Sequence, residues 1–208
     1  MQRWAPSLPS AAALLEPERG EMNRGFTLWL TGLPGAGKTT LAAGVRHELV
    51  TRGLSVEILD GDDVRTSLSR GLGFSKHDRD ENVWRIGYVT RLLSRNGIVA
   101  IAALVSPYRD ARDEVRRAHD APFVEVFVDC PLEELIRRDP KGLYAKAIGQ
   151  QIQDFSGISA PYEPPLAPDV HIRTDLQSID EARVAVVAGL ESRGLIGREP
   201  MAPAPTRP

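Results

Sequence analysis

An open parallel β-sheet with helices on both faces, an α/β fold of one main domain carrying a lid segment, is what the sequence predicts. Three observations predict it. Short apolar runs alternate with helical repeats along most of the 208 residues. The stretch Gly32-Leu33-Pro34-Gly35-Ala36-Gly37-Lys38-Thr39 falls where the first strand run gives way to the first helical repeat. Polar clusters then recur just past later strand runs or in one long connection. Alternating β and α implies parallel strands joined by right-handed crossovers. Such sheets gather ligands at the carboxyl ends of their strands.

The apolar runs at 26–31, 54–59, 98–105, 123–128 and 169–172 read as buried parallel strands. Helical periodicity fits 38–52, 62–70, 79–95, 108–119, 131–138 and 178–192. Gly53 and Gly97 stand just past the first and third helices, where a left-handed residue closes a helix. In the third helix Val83, Ile86, Val89 and Leu93 point toward the sheet, while Arg79, Asn82 and Arg85 line a face expected to be solvated. The domain spans 24–195. Residues 1–23 read as a flexible extension with Met22 as a second candidate start, and the proline-rich stretch 196–208 reads as a disordered tail.

Composition excludes several classes. A net charge of -2 gives no global nucleic-acid-binding surface, and no apolar run approaches the ~20 residues that span a bilayer. The single cysteine, Cys130, rules out an internal disulfide and reads as a buried thiol at a strand end. Four scattered histidines offer no zinc spacing. Four lysines stand against 22 arginines, and one of the four, Lys38, lies in the glycine-rich stretch; Lys141 and Lys146 lie close together further on.

That stretch fits Gly-x-x-x-x-Gly-Lys-[Ser/Thr] and reads as a phosphate-binding loop, entered by an apolar strand and left by a helix. Gly32, Leu33, Pro34, Gly35, Ala36 and Gly37 let backbone N–H groups converge on polyphosphate oxygens, and Lys38, Thr39 and Thr40 open the helix whose positive end adds to the attraction. Lys38 reaches the β- and γ-phosphates and the Thr39 hydroxyl ligates Mg²⁺, so ATP with Mg²⁺ is the expected co-substrate. Past the second strand comes Asp60-Gly61-Asp62-Asp63-Val64-Arg65. Three crowded carboxylates suit a metal or an acceptor hydroxyl, and they equally suit a helix N-terminus, so both readings stand. Arg65 is placed to meet an anion.

Phe74, in the glycine-bearing segment Gly71–Phe74, is awkward in a core and suits stacking on a base. Ser106, before Pro107-Tyr108-Arg109, suits capping the next helix, touching a substrate, or both. The connection from Arg137 to Pro165 is basic, then polar, then proline-rich, and reads as an active-site lid over about 138–163.

Taken together, Gly32–Thr39, Asp60–Arg65, Leu72–Ser75, Arg79–Asn82, Ser106–Arg109, Asp139–Tyr144, and Phe155–Ile158 with Tyr162–Pro164 resemble the motif series of adenylylsulfate kinase (APS kinase), a family of P-loop kinases, from about Gly25 to Leu190. The resemblance implies transfer of the ATP γ-phosphoryl group to the 3′-hydroxyl of adenosine 5′-phosphosulfate (APS), giving PAPS and ADP. It implies that Phe74 and Phe155 sandwich the APS adenine, and that Arg65, Arg79 and Asn82 hold its phosphosulfate and base with Lys141 and Ser106 nearby. It further implies Asp62 as the base or hydroxyl-orienting group, Asp60 as support for Mg²⁺, and a Ser106 equivalent described as a phosphoserine. Positioning and charge neutralisation suffice for phosphoryl transfer, so direct in-line transfer is favoured over a phosphoenzyme. A cytoplasmic homodimer associated with ATP sulfurylase in sulfate assimilation completes the expectation. Two departures are visible: Asp63 replaces the family asparagine, and Pro34 a frequent serine. Another small-molecule P-loop kinase, or a catalytically inactive regulatory module that binds PAPS or APS, are the alternative readings.

Overall fold

The computed structural model describes residues 25–197. The extension 1–23 and the tail from 198 onward lie outside the described residues. Five strands, β1 (Thr27–Thr31), β2 (Val56–Asp60), β3 (Val99–Ala103), β4 (Phe123–Asp129) and β5 (Val170–Arg173), form one sheet in the order β2-β3-β1-β4-β5. Every pairing is parallel; Leu28 sits opposite both Ile101 and Val124. The sheet is the one the sequence predicts.

Both faces are covered. Helices α1 (Lys38–Thr51) and α7 (Ile179–Ser192) pack together on one side, and α3 (Lys76–Arg95) and α4 (Arg109–Ala118) on the other. Alternation along β1 therefore sends Phe26, Leu28 and Leu30 into the larger core, and Trp29 into the smaller core with Val83, Ile86 and Val115. All five β1 residues are buried, which is why Leu28, Trp29 and Leu30 are apolar in succession rather than alternating with charged residues. Ile196, assigned to the tail, is buried in the larger core. Among the described residues no helix is long and apolar enough to cross a membrane.

Capping chemistry sets several boundaries. The Ser75 hydroxyl accepts from the Asp78 amide, so α3 begins at Lys76 rather than at 79. Ser178 and Glu181 form a reciprocal capping box on α7. Gly53 and Gly97 both adopt φ of 83° beyond α1 and α3, as expected. Helix α2 (Gly61–Thr66) is shorter than the 62–70 predicted. The Thr66 and Ser67 hydroxyls both bond the Asp63 carbonyl, and the Ser69 amide turns back to Val64. Short polar side chains compete with the helix there.

Within the lid connection, after α5 (Leu132–Arg138), a further helix α6 (Leu143–Ile148) appears where the sequence showed none. The Asp139 carboxylate accepts from the Tyr144 and Ala145 amides and starts it. Six residues are too few to show a period.

Helices α3 and α4 approach closely at Gly87, where an added Cβ would stand 2.6 Å from a Val115 methyl. Gly87→Ala is expected to lower stability by about 1–3 kcal/mol through overpacking. Chemical denaturation checks it, with the active-site affinities as an internal control.

Candidate active site

The phosphate-loop geometry follows from its glycines. Gly35 (φ 76°) and Gly37 (φ 96°) take left-handed conformations that side chains resist. At Gly32 a Cβ would meet the Val128 carbonyl oxygen at 2.2 Å, so the loop leaves the sheet only because that residue is bare. The first helical bond of α1 runs from the Leu41 amide to the Gly37 carbonyl. The amides of Lys38, Thr39 and Thr40 thus stand at the open, positive end of the helix. The Lys38 ammonium donates to the Gly32 and Leu33 carbonyls, each at 2.8 Å. Burial pulls its pKa down to about 7, opposed by the attraction of Asp60 and Asp62.

Asp60 ends β2 and joins two elements. One carboxylate oxygen accepts from the Asp62 amide at 3.0 Å, capping α2, and the other accepts from the Thr39 hydroxyl at 2.7 Å. Capping of α2 and contact with the start of α1 thus coexist in Asp60. The Asp62 carboxylate is exposed and pairs with Lys141 at 2.7 Å, which brings the lid onto α2 and raises the Lys141 pKa. Asp63 is exposed.

A cavity of about 310 Å³ lies beside this cluster, between the ends of β2 and β3, the start of α3 and the lid. Its lining includes the sequence-assigned residues Pro34, Asp62, Arg65, Phe74, Arg79, Asn82, Ser106 and Phe155. The Arg65 and Arg79 guanidinium carbons stand 4.3 Å and 5.4 Å from the half-exposed Phe74 ring. Arg65 donates to the Gly73 carbonyl, and Arg79 donates to the Phe74 and Asp154 carbonyls. Burial lowers the pKa of both guanidinium groups, as it does for cations gathered in a recess. Phe155 is buried and meets Tyr144 edge to face at 5.0 Å; the Tyr144 hydroxyl then donates to the Pro34 carbonyl. The lid is thereby tied to the phosphate loop.

Several expectations need correction. Arg79 and Asn82 are buried at the cavity rather than on a solvated face; only Arg85 of that row is turned away, to Glu81 and the Leu68 carbonyl. Ser106 does not cap α4. Its hydroxyl accepts from the Trp29 indole at 3.1 Å and donates to Thr31 at 3.0 Å, beneath the ends of the strands. Periodicity gave no sign of the cavity walls from Leu104, Val105, Ile152 and Gln153. Ser156 was quoted within a motif but given no role, yet it too lines the cavity. The Asn82 Oδ1 and Ser156 Oγ atoms are buried without a hydrogen-bond partner among the described residues, and both residues face this cavity. Polar atoms orphaned in a recess suit a polar ligand.

Comparison with known proteins agrees with this geometry. The family model described as adenylylsulphate kinase matches residues 24–173. An adenylyl-sulfate kinase of Synechococcus sp. (strain JA-2-3B'a(2-13)) is 55% identical over 173 residues, covering 83% of this chain and 98% of the relative. A structure of the Mycobacterium tuberculosis APS kinase CysC in complex with AMPPNP and APS superposes with a TM-score of 0.77 at 43% identity, covering 81% of this chain and 98% of that one. A probable bifunctional SAT/APS kinase of Sorangium cellulosum is 51% identical over 174 residues, which is 84% of this chain and 30% of that protein. With the phosphate loop, the paired guanidinium groups and the aromatic cavity gathered at the carboxyl ends of the strands, and matches of this extent, the chain belongs to the adenylylsulphate kinase family.

Proposed function

We propose that the chain transfers the γ-phosphoryl group of ATP to the ribose 3′-hydroxyl of adenosine 5′-phosphosulfate, giving PAPS and ADP. The observation that carries this reading is the cavity itself, where Phe74, Phe155, Arg65 and Arg79 meet Asp62 beside the phosphate loop. An aromatic pair suits a base and two guanidinium groups suit a phosphosulfate. Asn82, Ser106 and Lys141 complete the acceptor side. Phosphoryl transfer needs little covalent help from a protein, so positioning and charge do most of it. Gly32 to Thr40 hold the triphosphate and Lys38 moves from the loop carbonyls to the β- and γ-oxygens. The anionic acceptor competes for Lys141, which frees the Asp62 carboxylate to take the proton of the attacking hydroxyl. The buried Ser106 hydroxyl is already engaged by Trp29 and Thr31, which supports direct transfer over a phosphoenzyme.

Mg²⁺ fits the oxygens present. The Thr39 hydroxyl and an Asp60 carboxylate oxygen adjoin at 2.7 Å, and no group of three or more acidic, histidine or cysteine side chains forms a metal cage among the described residues. Mg²⁺ characteristically takes one or two protein oxygens and leaves its other positions to water and phosphate. When bound it neutralises charge developing on the phosphates. The same reading makes the protein a cytoplasmic homodimer of sulfate assimilation, working with ATP sulfurylase; the bifunctional relative from Sorangium supports that association.

Phe74→Ala is expected to raise the KM for APS by roughly 5- to 150-fold, the ~1–3 kcal/mol of one base stack, while the KM for ATP stays put. Steady-state kinetics with each substrate varied checks it. The reading as a whole is tested by ADP release with APS, AMP, adenosine, shikimate and gluconate as acceptors. Turnover with APS alone supports it; turnover with another acceptor makes the chain a different small-molecule kinase. PAPS binding without any turnover makes it a regulatory module.

A further inference from the structure

Helix α4 is rich in charge, Arg-Asp-Ala-Arg-Asp-Glu-Val-Arg-Arg-Ala. Its Arg112 is instead among the most buried large side chains of the molecule, at 2% exposure. Every nitrogen of its guanidinium has a different acceptor. Nε donates to the Glu125 carboxylate of β4 at 2.9 Å, Nη1 to the Ser106 carbonyl at 2.6 Å, and Nη2 to the Glu163 carbonyl at 2.8 Å. The first bond neutralises the buried charge; the other two join separate segments of the active site. Ser106 holds a strained φ of 37° in the cavity wall, and Glu163 lies where the lid returns to the sheet.

Three more bonds close the same junction. The Glu163 amide donates to the Pro107 carbonyl at 2.8 Å, its carboxylate accepts from the Arg109 amide at 2.9 Å, and the Tyr162 hydroxyl lies 3.0 Å from that of Thr31. The other end of the lid has only the exposed Lys141–Asp62 pair to hold it across to α2, and such surface pairs contribute little. Tyr144 ties the middle of the lid to the phosphate loop and Arg79 holds the Asp154 carbonyl, so the Tyr162–Glu163 junction is the attachment that joins the lid to the Ser106 turn.

We propose that Arg112 is a positioning residue that clasps the far end of the lid to the strained Ser106 turn and so fixes the acceptor side of the cavity without touching a ligand. This rests on the kinase reading above. A planar fork with three separated acceptors explains why arginine stands here: lysine has a single nitrogen and cannot span Glu125, Ser106 and Glu163 together. The nucleotide phosphates are held by residues 32–40, which the clasp does not reach. Loss of the clasp must therefore fall on APS and spare ATP.

The test compares Arg112→Lys with Arg116→Ala in the full chain. Arg116 pairs with Asp169 at 2.7 Å and stands 3.6 Å from Glu125, but bonds neither Ser106 nor Glu163. Arg112→Lys is expected to raise the KM for APS by about tenfold or more, as small displacements of a bound reactant do, with the KM for ATP unchanged. Arg116→Ala is expected to lower Tm and leave both KM values unchanged. If Arg112→Lys fails to fold, Tyr162→Phe removes one hydroxyl from the same clasp and is expected to raise the KM for APS in the same selective way. Hydrogen exchange of ligand-free protein gives a second readout: amides of residues 150–161 exchange faster in Arg112→Lys, or in Tyr162→Phe where that variant replaces it, than in Arg116→Ala. An unchanged KM for APS in the variant that folds, or a rise shared equally with ATP, overturns the proposal. Should the wild-type protein fail to turn over APS, the kinase reading falls, and unchanged lid exchange in that variant would overturn the clasp separately.

Discussion

Lys38→Ala is expected to reduce kcat by about 10²–10³-fold or more, the loss seen when one preorganised charge or donor is removed from a transition state. The side chain is buried and bonds only loop carbonyls, so its removal leaves the cores intact and, by relieving the cost of burying the ammonium, should not lower the temperature of thermal unfolding near neutral pH. The same lysine gives a pH signature. Burial lowers its pKa from 10.5 to about 7 in the ligand-free fold. Between those values the unfolded chain holds a proton that the folded chain lacks. This group's contribution to stability thus grows as pH rises through the window and is lost as pH falls toward 7. Bound phosphate restores the ammonium. Calorimetry in buffers of different ionisation enthalpy should find proton uptake on ATP binding at about pH 8, none at about pH 6, and none at either in Lys38→Ala.

Asp62→Asn should cost roughly 10²–10⁴-fold in kcat, the range of a positioned general base, with a KM for ATP near that of the wild type. The substitution preserves shape and the amide that caps against Asp60. It also removes the pairing with Lys141 at 2.7 Å, so the ligand-free lid should exchange faster while the sheet does not. Single-turnover kinetics distinguishes lost chemistry from slower lid closure. A variant with unchanged kcat would remove Asp62 from the proton-transfer role.

What the sequence made legible was local. The phosphate loop is dictated by where glycine is required, so Gly32, Gly35 and Gly37 announce its geometry before any coordinates do. The strands are legible because both faces of β1 and β3 are buried and, apart from Thr27 and Thr31, their residues are apolar. Illegible features depend on contacts far apart in the chain. Arg79 looks solvated on its helix, yet the lid carbonyl of Asp154 covers it. Ser106 looks like a helix cap, yet Trp29 and Thr31, more than seventy residues away in sequence, claim its hydroxyl. Arg112 belongs to an arginine-rich helix with nothing to mark it, because its three acceptors come from three other segments. Helix α6 escapes because a side-chain cap from Asp139, not periodicity, forms it.

The most direct test of the central claim is the identity of the product formed from ATP, Mg²⁺ and adenosine 5′-phosphosulfate, read by phosphorus NMR. One new phosphate monoester coupled to the ribose H3′, formed in step with ADP, is the expected result. A phosphate at any other position, or ADP formed with no new ester, would contradict it.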